Sequence, residues 1–298
     1  ASPRAPSLRS IEADSRLPRT SDAVLFIPGI DAAPSEMRAL AERLPSGRAR
    51  LYALEWDGLR RRLSDNARDL ATIIAALGRA APDRRLTLIA HSAGGILALR
   101  ALDELAQNRP LALGRFRRVR LIALDSPWHG YAGPADRGAE RFLVTLASAF
   151  IPPGLDELRA RSALFAGDPS SPDPAVRAGL FGVRLPDSVE IELFFAERGR
   201  LVSDWTEPPL SDLPRLLLAH YRHDEPIRAG VRTMNFWRAA LSSINYSRFA
   251  AEMRELAEAG TLDEEKLRAG LLKAFRRFPG DHASVLRERG DSSFAEWL

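Results

Sequence analysis

The stretch RLTLIAHSAGGILALRAL, residues 85–102, determines how the rest of the chain must fold. Its first part, Leu86-Thr-Leu-Ile-Ala90, is a short apolar run bounded upstream by Pro82 and charged residues, the pattern of a buried strand. Its last part sets Ile96, Leu97, Leu99 and Leu102 at helical spacing. Between them His91, Ser92, Ala93, Gly94 and Gly95 must turn a strand sharply into a helix. A serine at such a turn projects its hydroxyl above the sheet edge, and small neighbours let the backbone pass without collision. The pattern is G-x-S-x-G, with Ala90 in place of the first glycine. A packing turn with an incidental serine is the plainer reading of the pentapeptide alone. The strand before it and the helix after it favour a reactive turn.

The same alternation extends outward in both directions. Residues 23–27, AVLFI, form a second buried strand that runs into Pro28-Gly29-Ile30. Residues 35–44 carry Met37, Leu40 and Leu44 on one helical face. Residues 50–56 are the next strand, closed by Asp57-Gly58, and a long helix spans 64–78. Downstream, 118–125 and 189–195 are further strands. Strands alternating with helices predict an α/β protein, with a parallel sheet covered on both faces. In such sheets the ligand crevice lies at the carboxyl ends of the strands. Pro28-Gly29-Ile30, Trp56-Asp57, Ser92 and Asp125 all fall at that edge.

The remaining segments are less regular. Residues 1–21 are rich in Pro, Ser and Arg and are expected to form a flexible N-terminal segment. Residues 126–187 are broken by prolines and read as a lid insertion, within which the apolar run 140–151 is either a core helix or a wall for an acyl chain. Residues 206–270 form an additional helical region, and Thr261-x-x-Glu264 has the form of a capping box. Residues 271–278 either continue that helix or make a last strand, and 284–298 read as a closing helix.

Composition narrows the function. With 298 residues, 45% hydrophobic and 28% charged, the chain has ample core for an ordinary soluble globular protein. No apolar run approaches the roughly 20 residues that span a bilayer. The net charge is only +4, with arginines interleaved among Asp and Glu rather than with aromatics, which argues against nucleic-acid binding. Cysteine is absent, so disulfides, a thiolate nucleophile and Cys-ligated metal are excluded. The chain opens at Ala1 without methionine, which leans towards a secreted or periplasmic protein, with the cytoplasm as the alternative. Oligomeric state is left open.

At Ala90-His-Ser-Ala-Gly-Gly95 the chain resembles the α/β-hydrolase superfamily, and the order of elements agrees over most of residues 22–298. The resemblance implies a mostly parallel central sheet with helices on both faces and a helical lid or cap. Ser126-Pro-Trp-His-Gly130 is similar to the T-P-H-x-G stretch of many bacterial lipases and esterases, and residues 154–162 look like the same group. Conversely, His91-Ser-Ala-Gly94, Leu121-Ile-Ala-Leu-Asp125 and Pro279-Gly-Asp-His-Ala-Ser-Val-Leu286 resemble synthase-type thioesterase domains. Those domains carry their acid after the strand that follows the elbow helix and their histidine in a P-G-D-H turn near the C-terminus.

A serine hydroxyl is a weak nucleophile until an imidazole takes its proton and a carboxylate fixes that imidazole's tautomer. The chain has five histidines: His91, His129, His220, His223 and His282. His91 adjoins the nucleophile, so its ring is expected to point elsewhere. His282 has the turn context and the order nucleophile, acid, base; His223, before a helix, is the alternative and resembles the lipase-type histidine loop. Asp125 is the expected acid, because Gly199 stands where lipase relatives place theirs; Glu197 and Asp204 are the alternatives. Developing oxyanion charge calls for two amide donors, assigned to Ala93 and Ile30. Gly29, Trp128 and His129 are expected to line the substrate. No metal set, phosphate loop or dinucleotide fingerprint is present in the sequence, so neither metal nor cofactor is implied.

These residues predict a serine hydrolase that cleaves a small-molecule carboxylic ester, lipids among the candidates, through an acyl-enzyme. A thioesterase acting on acyl thioesters is the alternative within the same chemistry. A hydrolase-fold binding protein without turnover is the alternative of another class, motivated by Ala90, the displaced acid and the extent of residues 206–270.

Overall fold

A computed structural model describes residues 4–11, 22–30, 32, 34–44, 49–128, 153–158, 183, 185–196, 218, 246–274, 276–278 and 286. Seven strands form one sheet: β1 Ser7–Ser10, β2 Asp22–Ile27, β3 Ala49–Glu55, β4 Arg85–His91, β5 Arg118–Leu124, β6 Val189–Ala196 and β7 Arg276–Phe278. Their order across the sheet is β1-β3-β2-β4-β5-β6-β7. All neighbours pair in parallel except β1, which runs antiparallel to β3. The helices are α1 Arg38–Ala41, α2 Leu63–Ala80, α3 Ala93–Asn108, α4 Pro110–Leu113, α5 Pro153–Glu157, α6 Tyr246–Glu258 and α7 Glu264–Ala274.

Both faces of the central strands are buried, as a parallel sheet requires. In β4, Leu86, Leu88 and Ala90 enter the larger core cluster with α2 and α3, while Ile89 enters a smaller cluster with Met37, Leu40 and Phe26. β2 and β5 alternate the same way, Leu25, Ile27, Leu121 and Ala123 to one side, Phe26, Ile122 and Leu124 to the other. The chain steps from β2 outward to β3 and then back across to β4, so the direction of winding reverses between β2 and β4. A crevice opens at such a reversal, at the carboxyl ends of the strands.

Four details depart from the sequence reading. Ser7–Ser10, expected within a flexible segment, forms β1: its side chains stay mostly exposed, Leu8 packs on the larger core, and Arg9 pairs with Glu55 at 2.7 Å. A polar edge strand has no hydrophobic alternation to betray it. The 35–44 helix is short, a 3₁₀ turn at Pro34–Met37 leading into α1. Residues 271–278 do both things considered: α7 ends at Ala274 and β7 follows, pairing with β6. The cap of α7 is Asp263 rather than Thr261, since the Lys266 N–H donates to Asp263 Oδ1 at 2.8 Å. At the other end of the chain's long helices, α2 begins without a side-chain cap of its own. Glu157 of α5 supplies one, accepting from the Ser64 N–H at 2.9 Å and hydroxyl at 2.8 Å. Most of the expected lid (126–187) and of the helical region 206–270 lies outside the described residues.

Candidate active site

Ser92 follows the last residue of β4 and caps α3 with φ 55° and ψ −131°. This is a left-handed backbone that a serine adopts only at a cost of about 1–3 kcal/mol, and such strain collects where surrounding packing over-determines it. The packing is visible. The Ser92 N–H donates to Leu124 O at 2.9 Å, tying the elbow to β5. A Cβ on Gly94 would lie 2.5 Å from Ile27 O and 2.6 Å from Pro28 O, so only glycine lets α3 seat on the end of β2. Ala90 is fully buried, and its methyl belongs to the larger core cluster. The substitution in the pentapeptide is therefore absorbed by the core.

The turn after β2 lies directly against the elbow. A Cβ on Gly29 would sit 3.1 Å from Ser92 Cβ and 3.6 Å from Ser92 Oγ. The Ala32 N–H donates to Gly29 O at 3.3 Å, closing a turn that fixes the Gly29–Ile30 peptide. Among the described residues the Ile30 N–H has no acceptor. Ala93 is the first residue of α3, where an amide has no intrahelical carbonyl to bond. Ala93 thus adjoins Ser92 in sequence and Ile30 follows the glycine packed on it, and neither N–H has a non-helical acceptor among the described residues.

Asp125 occupies the matching place on the neighbouring strand. His91 and Leu124 are partners in the β4–β5 register, so Ser92 and Asp125 are the next residues along adjacent strands. Asp125 also has a left-handed backbone, φ 48°, and is 2% exposed. Its N–H donates to Phe194 O at 2.7 Å, and its Oδ1 accepts from the Ala196 N–H at 3.1 Å. The carboxylate thus reaches across to β6.

Other expected site residues fare differently. Trp128, expected against substrate, is fully buried and belongs to the larger core cluster. His91 is the residue the sequence missed. Its Nδ1, like Ser92 Oγ, lies 3.6 Å from where a Gly29 Cβ would be, so the ring lies close to the turn after β2. His129, Glu197, Asp204, His223 and His282 lie outside the described residues. No group of residues suited to hold a metal ion occurs among the described residues. A cavity of about 410 Å³ opens at the carboxyl end of β3, lined by Arg4, Trp56, Asp57, Gly58 and Arg60 among others.

A winding reversal at β2/β4, a strained serine between strand and helix, and an acid on the next strand define the α/β-hydrolase fold and its usual site edge. The sequence profile of the alpha/beta hydrolase family matches residues 24–289, and the chain belongs to that family. No curated protein matches significantly. Among solved structures the chain is similar to the mature Bacillus licheniformis lipase BlEst2, at 17% identity over 64% of this chain and 72% of that one, TM-score 0.44. It spans 39% of the propeptide form of the same lipase. It is also similar to a carboxylesterase of the thaumarchaeon Nitrososphaera gargenis (12% identity, 98% of this chain, 92% of that one, TM-score 0.44). A third likeness is to the NocB thioesterase domain (17% identity, 93% of each chain, TM-score 0.41). Likeness at this level assigns neither substrate nor site.

Proposed function

We propose that the protein is a serine hydrolase that cleaves carboxylic esters through an acyl-enzyme. The observation that carries this reading is the strained Ser92 backbone at the switch point, with the Ala93 amide next in sequence and the Ile30 amide after the glycine packed on it. In the proposed cycle the Ser92 hydroxyl gives its proton to the imidazole of His282 as Oγ attacks the ester carbonyl carbon. The Ile30 and Ala93 N–H groups hold the resulting oxyanion. The alkoxide leaves with the proton from His282, and water repeats the sequence to release the acid. Asp125 orients the imidazole.

Chain connectivity supports His282 over His223. Phe278 of β7 pairs with Ala196, whose N–H donates to Asp125. His282 is four residues on, within a reach of roughly 14 Å. Leu286, four residues further, is buried in the smaller core cluster. Phe278 and Leu286 thus stand four residues to either side of His282, and Phe278 pairs with the β6 residue whose N–H donates to Asp125.

Hydrolysis of p-nitrophenyl esters of increasing chain length, beside an acyl thioester, tests the reading in wild type, Ser92→Ala, His282→Ala and His223→Ala. The expected result is ester turnover, abolished in the first two variants and retained in the third. Turnover lost in His223→Ala but kept in His282→Ala would move the base. Preference for the thioester would move the substrate class, and no turnover of either would remove the reading.

A further inference from the structure

Resting on the acyl-enzyme reading, we infer that Trp56 is a positioning residue for the oxyanion site, holding the Pro28–Ile30 turn in register with Ser92. Trp56 stands just beyond β3 and is partly buried. Its Nε1–H donates to Pro28 O at 3.1 Å, a contact between residues 28 apart in sequence. That carbonyl is one of the two, with Ile27 O, against which Gly94 of α3 is seated. One carbonyl is thus clamped between the indole and the elbow helix, and the next peptide carries the Ile30 N–H.

The Ile30 side chain and the indole also share the space over one glycine. A Cβ on Gly58 would fall 2.6 Å from Ile30 Cγ1 and 2.9 Å from the Trp56 ring, so both side chains fill the space above that glycine. The platform beneath is itself fixed. Asn66, fully buried in α2, donates from Nδ2 to Asp57 O at 2.9 Å, and the Arg60 N–H donates to Asp57 Oδ1 at 2.9 Å. Position therefore passes from α2 through the 56–58 turn to Trp56, and from Trp56 to the peptide that precedes the Ile30 amide. An amide aimed at charge that appears only in the transition state contributes to kcat and leaves ground-state binding alone.

The test compares wild type with Trp56→Phe, which keeps a ring and loses the N–H, using p-nitrophenyl butyrate as substrate. Butylboronic acid, which forms a tetrahedral adduct on serine, reports the oxyanion site directly. The expected result is a kcat lower by about tenfold or more, an unchanged KM, and a boronate Ki weakened by a similar factor. If Trp56→Phe does not fold, 3-benzothienylalanine at position 56 replaces the N–H with sulfur in a ring of the same shape, and the same shifts are expected. Wild-type kcat and Ki in a folded variant, or a rise in KM matching the fall in kcat, would overturn the inference and leave the acyl-enzyme reading standing. A wild type that neither hydrolyses the ester nor binds the boronate would remove both.

Discussion

Gly94→Ala probes the contact that brings together Ser92 and the turn proposed to hold the oxyanion. The new methyl would meet Ile27 O at 2.5 Å and Pro28 O at 2.6 Å, where non-bonded atoms settle near roughly 3.5 Å. Both obstacles are backbone, so neither can rotate aside, and α3 must recede from β2 by roughly 0.5–1 Å. Overpacking of this kind costs about 1–3 kcal/mol, and the rigid partners put it at the upper end. Alanine recovers up to about 1 kcal/mol as the better helix former. The net expectation is a loss of about 2 kcal/mol, or a melting temperature lower by about 3 °C in a chain of this size. A shift of that order at the elbow also costs rate, up to about 100-fold for a 1 Å misplacement. Thermal unfolding followed by circular dichroism, with ester turnover measured below the transition, gives both numbers. An unchanged melting temperature with full activity would refute the seating of α3 on the end of β2.

Three further outcomes follow from single groups. In the proposed role, Asp125→Asn keeps an acceptor for the Ala196 N–H but loses the carboxylate; stability should hold while kcat falls by about 10³–10⁴, whereas Asp125→Ala should lose both. Ser126 Oγ is fully buried and has no hydrogen-bond partner among the described residues, so Ser126→Ala should leave stability unchanged or raise it by up to about 1 kcal/mol in a denaturant titration. Asp22 joins the start of β2 to that of β4, accepting from the Arg85 N–H at 2.9 Å and Nε at 2.7 Å. Burial pushes its carboxyl up, but the Arg85 hydrogen bonds outweigh it and hold the pKa below the ordinary 3.8. A lowered folded pKa means stability present above that ordinary value and lost as pH falls through the lower one. Asp22→Asn should therefore cost about 0.5–1 kcal/mol at neutral pH, discounted for exposure, with the gap closing in acid and no change in turnover.

Much of the fold was legible because parallel strands buried on both faces appear as continuous apolar runs. β2, β4 and β5 stand within a residue or two of their expected ends for that reason. β1 was hidden because an edge strand of Ser and Arg carries no such signal, and β7 because three residues cannot establish a period. Ser92, Gly29, Ile30 and Asp125 were legible because strand ends alone bring them to one edge. The burial of Trp128 was not legible, since an aromatic after Ser-Pro resembles a site loop whether or not it packs in the core. The bond from Trp56 to Pro28 O could not be read at all, since it depends on β3 and β2 being neighbours rather than on any local pattern.

The nucleophile is the hinge of everything proposed above. Incubation of the full chain with a fluorophosphonate, followed by intact mass and peptide mapping, locates the reactive hydroxyl without assuming a substrate. A single adduct on the peptide containing Ser92, absent from Ser92→Ala, is the predicted result. An unlabelled wild-type protein, or an adduct on any other residue, would contradict it.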